Sequence, residues 1–549
     1  MRPRAKAAAT ALAAALLTAP VPAAAAPPSP PAAPQIDWKP CFDPAHLPQV
    51  LPPGGDRLQC GSFRAPLDWN HPEDGRTATI AVTRLSPPDG SRHRALFTNP
   101  GGPGAAGRSV PLALLAEDRT RLLDTFDVYG IDVRGVGDST RATCSAPPPQ
   151  PPAPPPDMRD RSPQGVRRAL DNAAGTARFC QQGSGELGRY LTTEQTVRDL
   201  DRLRQLVHQP HVDYWGTSAG TWLGAQYAAH FPQHTGQFAL DSNLDVTGTW
   251  QRALAEQPRG TERAFRERYL PWVAAHDATY HLGSTPEQVS ASYERVRARL
   301  ARQPAQDPQL GRLGPEGLDG QLRYAVAARS EFDSSAQLLH RLDTAPSNAG
   351  AQKPTPHDPA PQDPAHQSKG PYNGPGTPTA TALTLNATPF AIRCNDTAFH
   401  GSEREVVARS DEQGRHYPLA GWAQISQPCL SWQRPPVQLP EPTGAGAPPA
   451  LLLQGTHDPL TPIEGAERTH AQLAGSRMVV AEGESDHVAY GDGKPCVDEV
   501  TDAYLIDGAL PGRDLTCPAA PLPEPGEPPE PSLLDRVLEF TEQLGPLPR

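Results

Sequence analysis

Three residues far apart in the chain have the types and order needed for nucleophilic hydrolysis: Ser218, Asp458 and His487. A serine hydroxyl is a poor nucleophile at neutral pH, so it needs a base beside it, and the base needs an orienting carboxylate. Ser218 stands at the centre of Gly216-Thr217-Ser218-Ala219-Gly220, between the apolar run Val212–Trp215 and a helix-like stretch from Thr221 to Ala229. Strand, sharp turn and helix are the setting that turns G-x-S-x-G into a nucleophile elbow. The glycines are needed because bulky side chains beside the strained central residue would collide. Where such an elbow carries a serine, the acid and then the histidine follow later in the chain. Asp458 follows Leu451-Leu452-Leu453-Gln454 in Gly455-Thr456-His457-Asp458-Pro459, and His487 follows Met478-Val479-Val480. His457 is the rival base, but its adjacency to Asp458 points the two side chains apart. Asp241, after the run Gln237–Leu240, is the rival acid.

The reaction also needs donors for the oxyanion. One is expected to be the backbone N–H of Ala219, directly after the nucleophile. The other should come from Asn99-Pro100-Gly101-Gly102-Pro103-Gly104. Pro103 has no N–H, which leaves Gly102 first and Gly101 second; the same glycines also make a tight turn. His487 must be neutral to act as a base, so activity should fall as pH drops through the imidazole value, ordinarily about 6.5. Asp486 would raise that value if it lay close and would do little if solvated.

The elements that position these residues alternate between strand and helix. Thr77–Leu85, Ala95–Thr98, Phe126–Val133, Gln237–Leu240, Ala450–Gln454 and Arg477–Val480 read as strands. Thr192 and Gln195 read as a capping box, opening a helix with Val197, Leu200, Leu203, Leu206 and Val207 on one face. Alternation of this kind predicts a mostly parallel sheet flanked by helices. It stops near residue 250. Residues 251–435 read as a mainly helical cap, with Val289–Leu300 its clearest helix, inserted between core segments 37–250 and 436–549. Residues 346–382 have almost no large apolar side chains and read as disordered or a surface loop. A last helix is expected from Ser532 to Leu544.

The chain begins with Arg2, Arg4 and Lys6, an apolar run to Leu17 and small residues to Ala26, the pattern of a signal peptide. Residues 27–36 read as a disordered leader or propeptide. Removing residues 1–26 takes the net charge from −11 to −14, which argues against nucleic acid as a partner and suits a soluble secreted protein. No later stretch is a membrane helix. Eight cysteines in an exported chain favour disulfides. The shortest loops come from sequential pairing: Cys41–Cys60, Cys144–Cys180, Cys394–Cys429 and Cys496–Cys517. No C-x-x-C spacing suggests zinc, and no metal or organic cofactor is implied.

The segments NPGGPG (99–104), FDVYGIDVRGVGDST (126–140), YWGTSAGTWLGAQYA (214–228) and GTHDPLTPIEGA (455–466), with the tail around Cys496 and Cys517, resemble the secreted tripeptidyl aminopeptidases of high-GC Gram-positive bacteria. These are α/β-hydrolases related to prolyl iminopeptidases. The resemblance covers most of residues 37–520. It implies the α/β-hydrolase fold and a serine exopeptidase that releases short peptides, tripeptides among them, from free N-termini. It also implies Ser218, Asp458 and His487 as triad. The chain departs from the family in Ala219, where tyrosine is usual, and in Asp486 and Val488, where glycines usually flank the histidine. Trp272-Val273-Ala274-Ala275 also lacks the cysteine pair often found nearby. An exopeptidase must bind the substrate ammonium, for which a cap carboxylate is the physical means; Glu262, Glu267 and Glu331 are the candidates, with Asp277 and Asp333 behind them. The expected partner is a peptide with a free N-terminus, and the expected state a monomer. Two other readings stay open: an esterase or lipase on the same core, and a binding protein with a degenerate site.

Overall fold

The apolar runs of the sequence assemble into one ten-stranded sheet. Its strands are β1 (Lys39–Pro40), β2 (Gln59–Pro66), β3 (Thr77–Leu85), β4 (Arg94–Asn99), β5 (Phe126–Asp132), β6 (Val212–Thr217), β7 (Thr235–Asp241), β8 (Leu451–Gly455), β9 (Arg477–Glu482) and β10 (Leu515–Pro518). The spatial order is β1-β2-β3-β5-β4-β6-β7-β8-β9-β10. The pairs from β1 to β5 along this order are antiparallel, and every pair from β5 to β10 is parallel. The computed structural model describes residues 35–89, 93–145, 155–345, 384–491, 493–527 and 531–549. The expected signal peptide and almost all of the leader, most of a proline-rich stretch at 146–157, and the segment 346–382 lie outside the described residues.

Successive side chains of a strand face opposite ways, and the two faces bury two cores. Leu96, Val128, Trp215, Leu453 and Val479 point to one, under the helices Val110–Ala116, Pro495–Asp507 and Leu533–Leu544. Phe97, Tyr129, Tyr214, Leu452 and Met478 point to the other, against Val197, Leu200, Leu203 and Leu223. Burial on both faces explains why these strands read as continuous apolar runs rather than alternating ones. The helix Thr193–Leu206 starts as expected, with the Thr192 side chain accepting the Gln195 N–H. The capping box is only half made, however. Gln195 Oε1 accepts the Trp69 N–H at 2.8 Å instead, because a tertiary donor competes for the acceptor.

Between β7 and β8 the chain forms a mainly helical cap with its own apolar centre, built from Phe265, Tyr269, Trp272, Tyr293, Leu322, Phe332 and Leu339. It also carries a small hairpin, Ala305–Asp307 with Gly311–Leu313. A further short strand, Thr384–Asn386, pairs antiparallel with Thr143–Ser145 of the core. The helix Pro163–Ser184, β2 and β10 lie in stretches for which no element was expected. The described residues from Ile36 onward cluster as one compact unit.

The four sulfur pairs are Cys41–Cys60, Cys144–Cys180, Cys394–Cys429 and Cys496–Cys517. The last joins the helix Pro495–Asp507 to β10 over a separation of 21 residues. A loop of that size is worth about 3 kcal/mol in the chain-entropy account. Replacing both cysteines by serine should therefore lower the thermal midpoint by several degrees, measured by calorimetry. An unchanged midpoint would show that the helix and strand hold together without the link.

Candidate active site

The chemistry-bearing residues all follow the carboxyl ends of parallel strands, the edge where open α/β sheets bind ligands. Thr217 of β6 pairs with Asp241 of β7, and Asp241 with Leu453 of β8. Ser218 therefore begins the turn one residue beyond this row. Its backbone lies at φ 55° and ψ −122°, a strained left-handed setting for a residue with a side chain. The Ser218 N–H donates to Asp241 O at 2.9 Å, and Thr217 Oγ1 donates to Pro100 O at 3.1 Å. A Cβ on Gly220 would come within 2.7 Å of Asn99 O, and one on Gly101 within 2.3 Å of Thr217 O. Glycine at both positions lets the elbow and the 99–104 loop pack backbone to backbone.

Asp458 and His487 meet beneath the cap. His487 Nδ1 lies 3.1 Å from both carboxylate oxygens of Asp458. Asp458 Oδ1 also accepts the N–H groups of Leu460 and Thr461 at 2.9 Å, and Oδ2 accepts the Thr461 hydroxyl at 2.8 Å. Burial alone would raise this carboxyl. The attraction of His487 and the hydrogen bonds from His487 and Thr461 outweigh it and hold Asp458 below the usual carboxylate range. With Nδ1–H aimed at the carboxylate, Nε2 is left as the basic nitrogen. Nε2 is buried and makes no hydrogen bond within the described residues. No hydrogen bond joins it to Ser218 Oγ; such contacts often tighten only when substrate binds.

The rivals from the sequence have other work. His457 turns away, with Nε2 3.0 Å from Glu267 and Nδ1 3.0 Å from the Thr456 hydroxyl. Asp241 is fully buried and accepts the N–H groups of Ala489 at 2.7 Å and Tyr490 at 2.9 Å. It thus holds the backbone just after the histidine rather than the imidazole. Burial pushes its carboxyl up to about 6, against the pull of those two N–H groups.

The loop carrying His487 is tethered residue by residue. Ser485 and Asp486 donate their N–H groups to Glu484 Oε1, His487 to Ala327 O, Val488 to Ser242 Oγ and Gly491 to Asp498 Oδ1, all between 2.7 and 2.9 Å. Asp486 is not a solvated neighbour of the histidine. It is 3 % exposed and pairs with Arg329 and Lys494. Sequence reasoning passed over Ser242 and Glu484 because Val488 and Arg329, which they meet, lie far away in the chain.

The 99–104 loop, expected to supply an oxyanion donor, is likewise held from outside. Gly101 N–H donates to Asn99 Oδ1 at 2.9 Å and so is already engaged. That leaves Gly102 N–H, together with Ala219 N–H at the start of the helix Ala219–His230, where helix geometry favours negative charge. Asn386 donates to Gly104 O at 2.9 Å and Arg393 to Gly102 O at 2.7 Å. Both come from the far end of the cap.

Of the cap acids, Glu262 is buried and bound within the cap, to Arg266 and to the Leu419 N–H at 3.1 Å. Both of its oxygens are engaged there. Glu331 accepts from Ser334, Asp277 from the Gly283 N–H, and Asp333 from Tyr280 and Gln337. Glu267, bound to His457, stands beside the residue next to Asp458.

The segment after β5 supports the scaffold. Arg134 is fully buried and clamps Asp199 with two hydrogen bonds of 2.7 Å while donating to Leu67 O and Pro66 O. Asp132 accepts the N–H groups of Gly107, Arg108 and Asp138.

Comparisons with known proteins agree with this architecture. A family model described as alpha/beta hydrolase fold matches residues 95–327, and one described as TAP-like protein matches residues 417–517. The tripeptidyl aminopeptidase of Streptomyces coelicolor is 30% identical over 501 residues, covering 89% of this chain and 87% of that protein. Serine protease Hip1 of Mycobacterium tuberculosis is 27% identical over 500 residues, covering 88% and 91%. A protein of the same organism named carboxylesterase B is 29% identical over 501 residues, covering 89% and 91%.

Proposed function

We propose that this chain, which belongs to the tripeptidyl aminopeptidase family of α/β-hydrolases and is a serine hydrolase, is a secreted exopeptidase releasing short peptides, tripeptides among them, from free N-termini. The observation that carries the reading is the buried Asp458–His487 pair with its bare Nε2, on the sheet edge where the Ser218 elbow begins. Ser218 Oγ attacks the scissile carbonyl as His487 Nε2 takes its proton. The oxyanion settles on the N–H groups of Ala219 and Gly102. The C–N bond breaks as His487 returns the proton to the leaving amine, leaving an acyl group on Ser218. Water then gives its proton to His487 and attacks the ester, and the acid is released as Ser218 regains its proton. Asp458 stays ionised throughout and holds the imidazole in the tautomer with Nδ1–H.

Peptides are the substrate class named for two of the relatives above. The cap that closes over the site suits recognition of a chain end. Glu262, Glu267 and Glu331 are the candidates for the substrate ammonium. Export is supported by the four disulfides and by the basic and apolar first 26 residues. Among the described residues no helix is long and apolar enough to cross a membrane.

The test is a defined peptide mixture, each member with a free or an acetylated N-terminus, with the released fragments sequenced. Tripeptides should come off the free peptides, and acetylation should lower kcat/KM at least a hundredfold. Equal cleavage of both forms would refute exopeptidase action. The relative named carboxylesterase B favours a second reading, an ester hydrolase on the same triad. If short acyl esters turn over faster than tripeptidyl nitroanilides, that reading takes precedence.

A further inference from the structure

The loop that carries His487 is fastened on one side to the core and on the other to the cap. The core side is Asp241 and Ser242, at the end of β7. The cap side is the turn after the helix Pro315–Ala325. There Ala327 O accepts the His487 N–H at 2.8 Å, and the Arg329 N–H donates to Asp486 Oδ1 at 2.7 Å. The Arg329 guanidinium bonds Asp486 Oδ2 and lies 3.7 Å from Glu484. Lys494, whose side chain is fully buried, lies 3.7 Å from Asp486. Among the described residues, two acids and two bases thus share this cluster. Three of them stand within seven residues of His487, and only Arg329 comes from the cap.

We propose that Arg329 and Asp486 are positioning residues for His487: a cap-to-loop latch that sets the imidazole against Ser218 only when the cap is seated. The proposal rests on His487 being the base. The geometry gives the reason for a latch here. Asp486 immediately precedes His487 and is anchored through two atoms of one cap residue, its backbone N–H and its guanidinium. The His487 N–H is anchored two residues earlier on the same turn. A shift of this turn therefore moves the backbone that carries the imidazole. A displacement of about 1 Å at a reacting group can cost about 10²-fold in rate. Because Asp486 and Lys494 are buried, removing one charge unbalances the cluster with little water to screen the change.

The latch has a signature different from simple loss of fold. Arg329 and Asp486 touch no reacting atom, so weakening the latch should lower kcat while KM stays within about twofold. Asp486→Asn keeps the shape and an acceptor for the Arg329 N–H, but removes the charge and turns an NH₂ toward the guanidinium. Arg329→Gln removes the guanidinium, and Arg329→Lys keeps a cation of shorter reach.

The experiment measures steady-state kinetics on a tripeptidyl nitroanilide, and the rate at which a fluorophosphonate labels Ser218 in the folded fraction. It uses the full chain and these variants, with His487→Ala beside them. Labelling should fall to background in His487→Ala. In Asp486→Asn and Arg329→Gln, both kcat and labelling should fall about tenfold to a hundredfold. Arg329→Lys should recover most of the loss, and the double variant should be no worse than the poorer single. If His487→Ala labels like wild type, the assignment of the base fails and the latch with it. If His487→Ala is dead while Asp486→Asn and Arg329→Gln keep wild-type kcat and labelling, the latch alone is overturned. A loss confined to KM, or one that Arg329→Lys does not recover, also overturns it.

Discussion

Ser218→Ala should lower kcat by about 10⁶-fold, the loss seen when the serine of a comparable triad is removed, while the protein stays folded. The elbow explains why the two effects separate. The strain at Ser218 belongs to its backbone, held by the N–H bond to Asp241 O and by the close fit of Gly101 and Gly220 against neighbouring backbone. Alanine can occupy the same φ and ψ at the same cost. Only the hydroxyl is lost, and its one proposed task is attack on the substrate. The oxyanion donors remain, so a residue of activity above the uncatalysed rate is expected. Measured on the folded variant, activity within tenfold of wild type would remove Ser218 from the mechanism. A sharply lowered thermal midpoint would instead mean that the hydroxyl supports the fold.

How much of this was legible in the sequence follows from what each feature depends on. The elbow depends on residues adjacent in the chain, so GTSAG between an apolar run and a helix could be read directly. Asp458 and His487 could be read because each follows a buried strand whose apolar run is unmistakable: Leu451-Leu452-Leu453 and Met478-Val479-Val480. β2, with its polar Gln59, Ser62 and Arg64, and β10, only four residues long, carry no such run. Their strand state comes from pairing with β3 and β9. The helix Pro163–Ser184 was hidden behind a proline-rich stretch, although its one-sided burial of Ala169, Leu170, Ala173, Ala177 and Cys180 is helical in spacing. What could not be read was tertiary. Asp241 looked like a rival acid because it ends a strand beside the nucleophile, and nothing local says that its oxygens face the N–H groups of Ala489 and Tyr490. Asp486 looked as exposed as any loop acid, because Arg329 lies 157 residues away. The capping-box acceptor of Gln195 was taken by Trp69, 126 residues away.

The two carboxylates that compete for the role of acid should respond very differently to the same conservative change. In Asp458→Asn, the amide oxygen will stay with the N–H groups of Leu460 and Thr461, which need an acceptor, so the NH₂ takes the place of Oδ2. It then faces His487 Nδ1, which must accept rather than donate. The ring proton moves to Nε2, and the base is lost without any change of shape. In a comparable triad that swap costs about 10⁴-fold in kcat. In Asp241→Asn, each carboxylate oxygen now accepts one N–H, so the NH₂ must oppose one of them. An unsatisfied buried donor costs about 1–3 kcal/mol. The base loop should shift, with a loss of about 10²-fold at most and a lower thermal midpoint. The pH dependence separates them further. Asp458 is held below 3.8 in the folded chain, so its stabilising effect is present above the unfolded value and is lost only as pH falls through the still lower folded value. Asp241 is raised to about 6, so the folded chain binds its proton more tightly than the unfolded chain does. Its ionisation thus costs stability, increasingly from about pH 4 up to pH 6 and fully above that. Asparagine does not titrate, so the stability gap between wild type and Asp241→Asn should be widest near pH 4 and narrow above pH 6. Thermal melts and kcat/KM across pH 4–8 for wild type and both variants provide the measurement. A crippled Asp241→Asn beside a near-normal Asp458→Asn would move the acid from the loop after β8 to the end of β7.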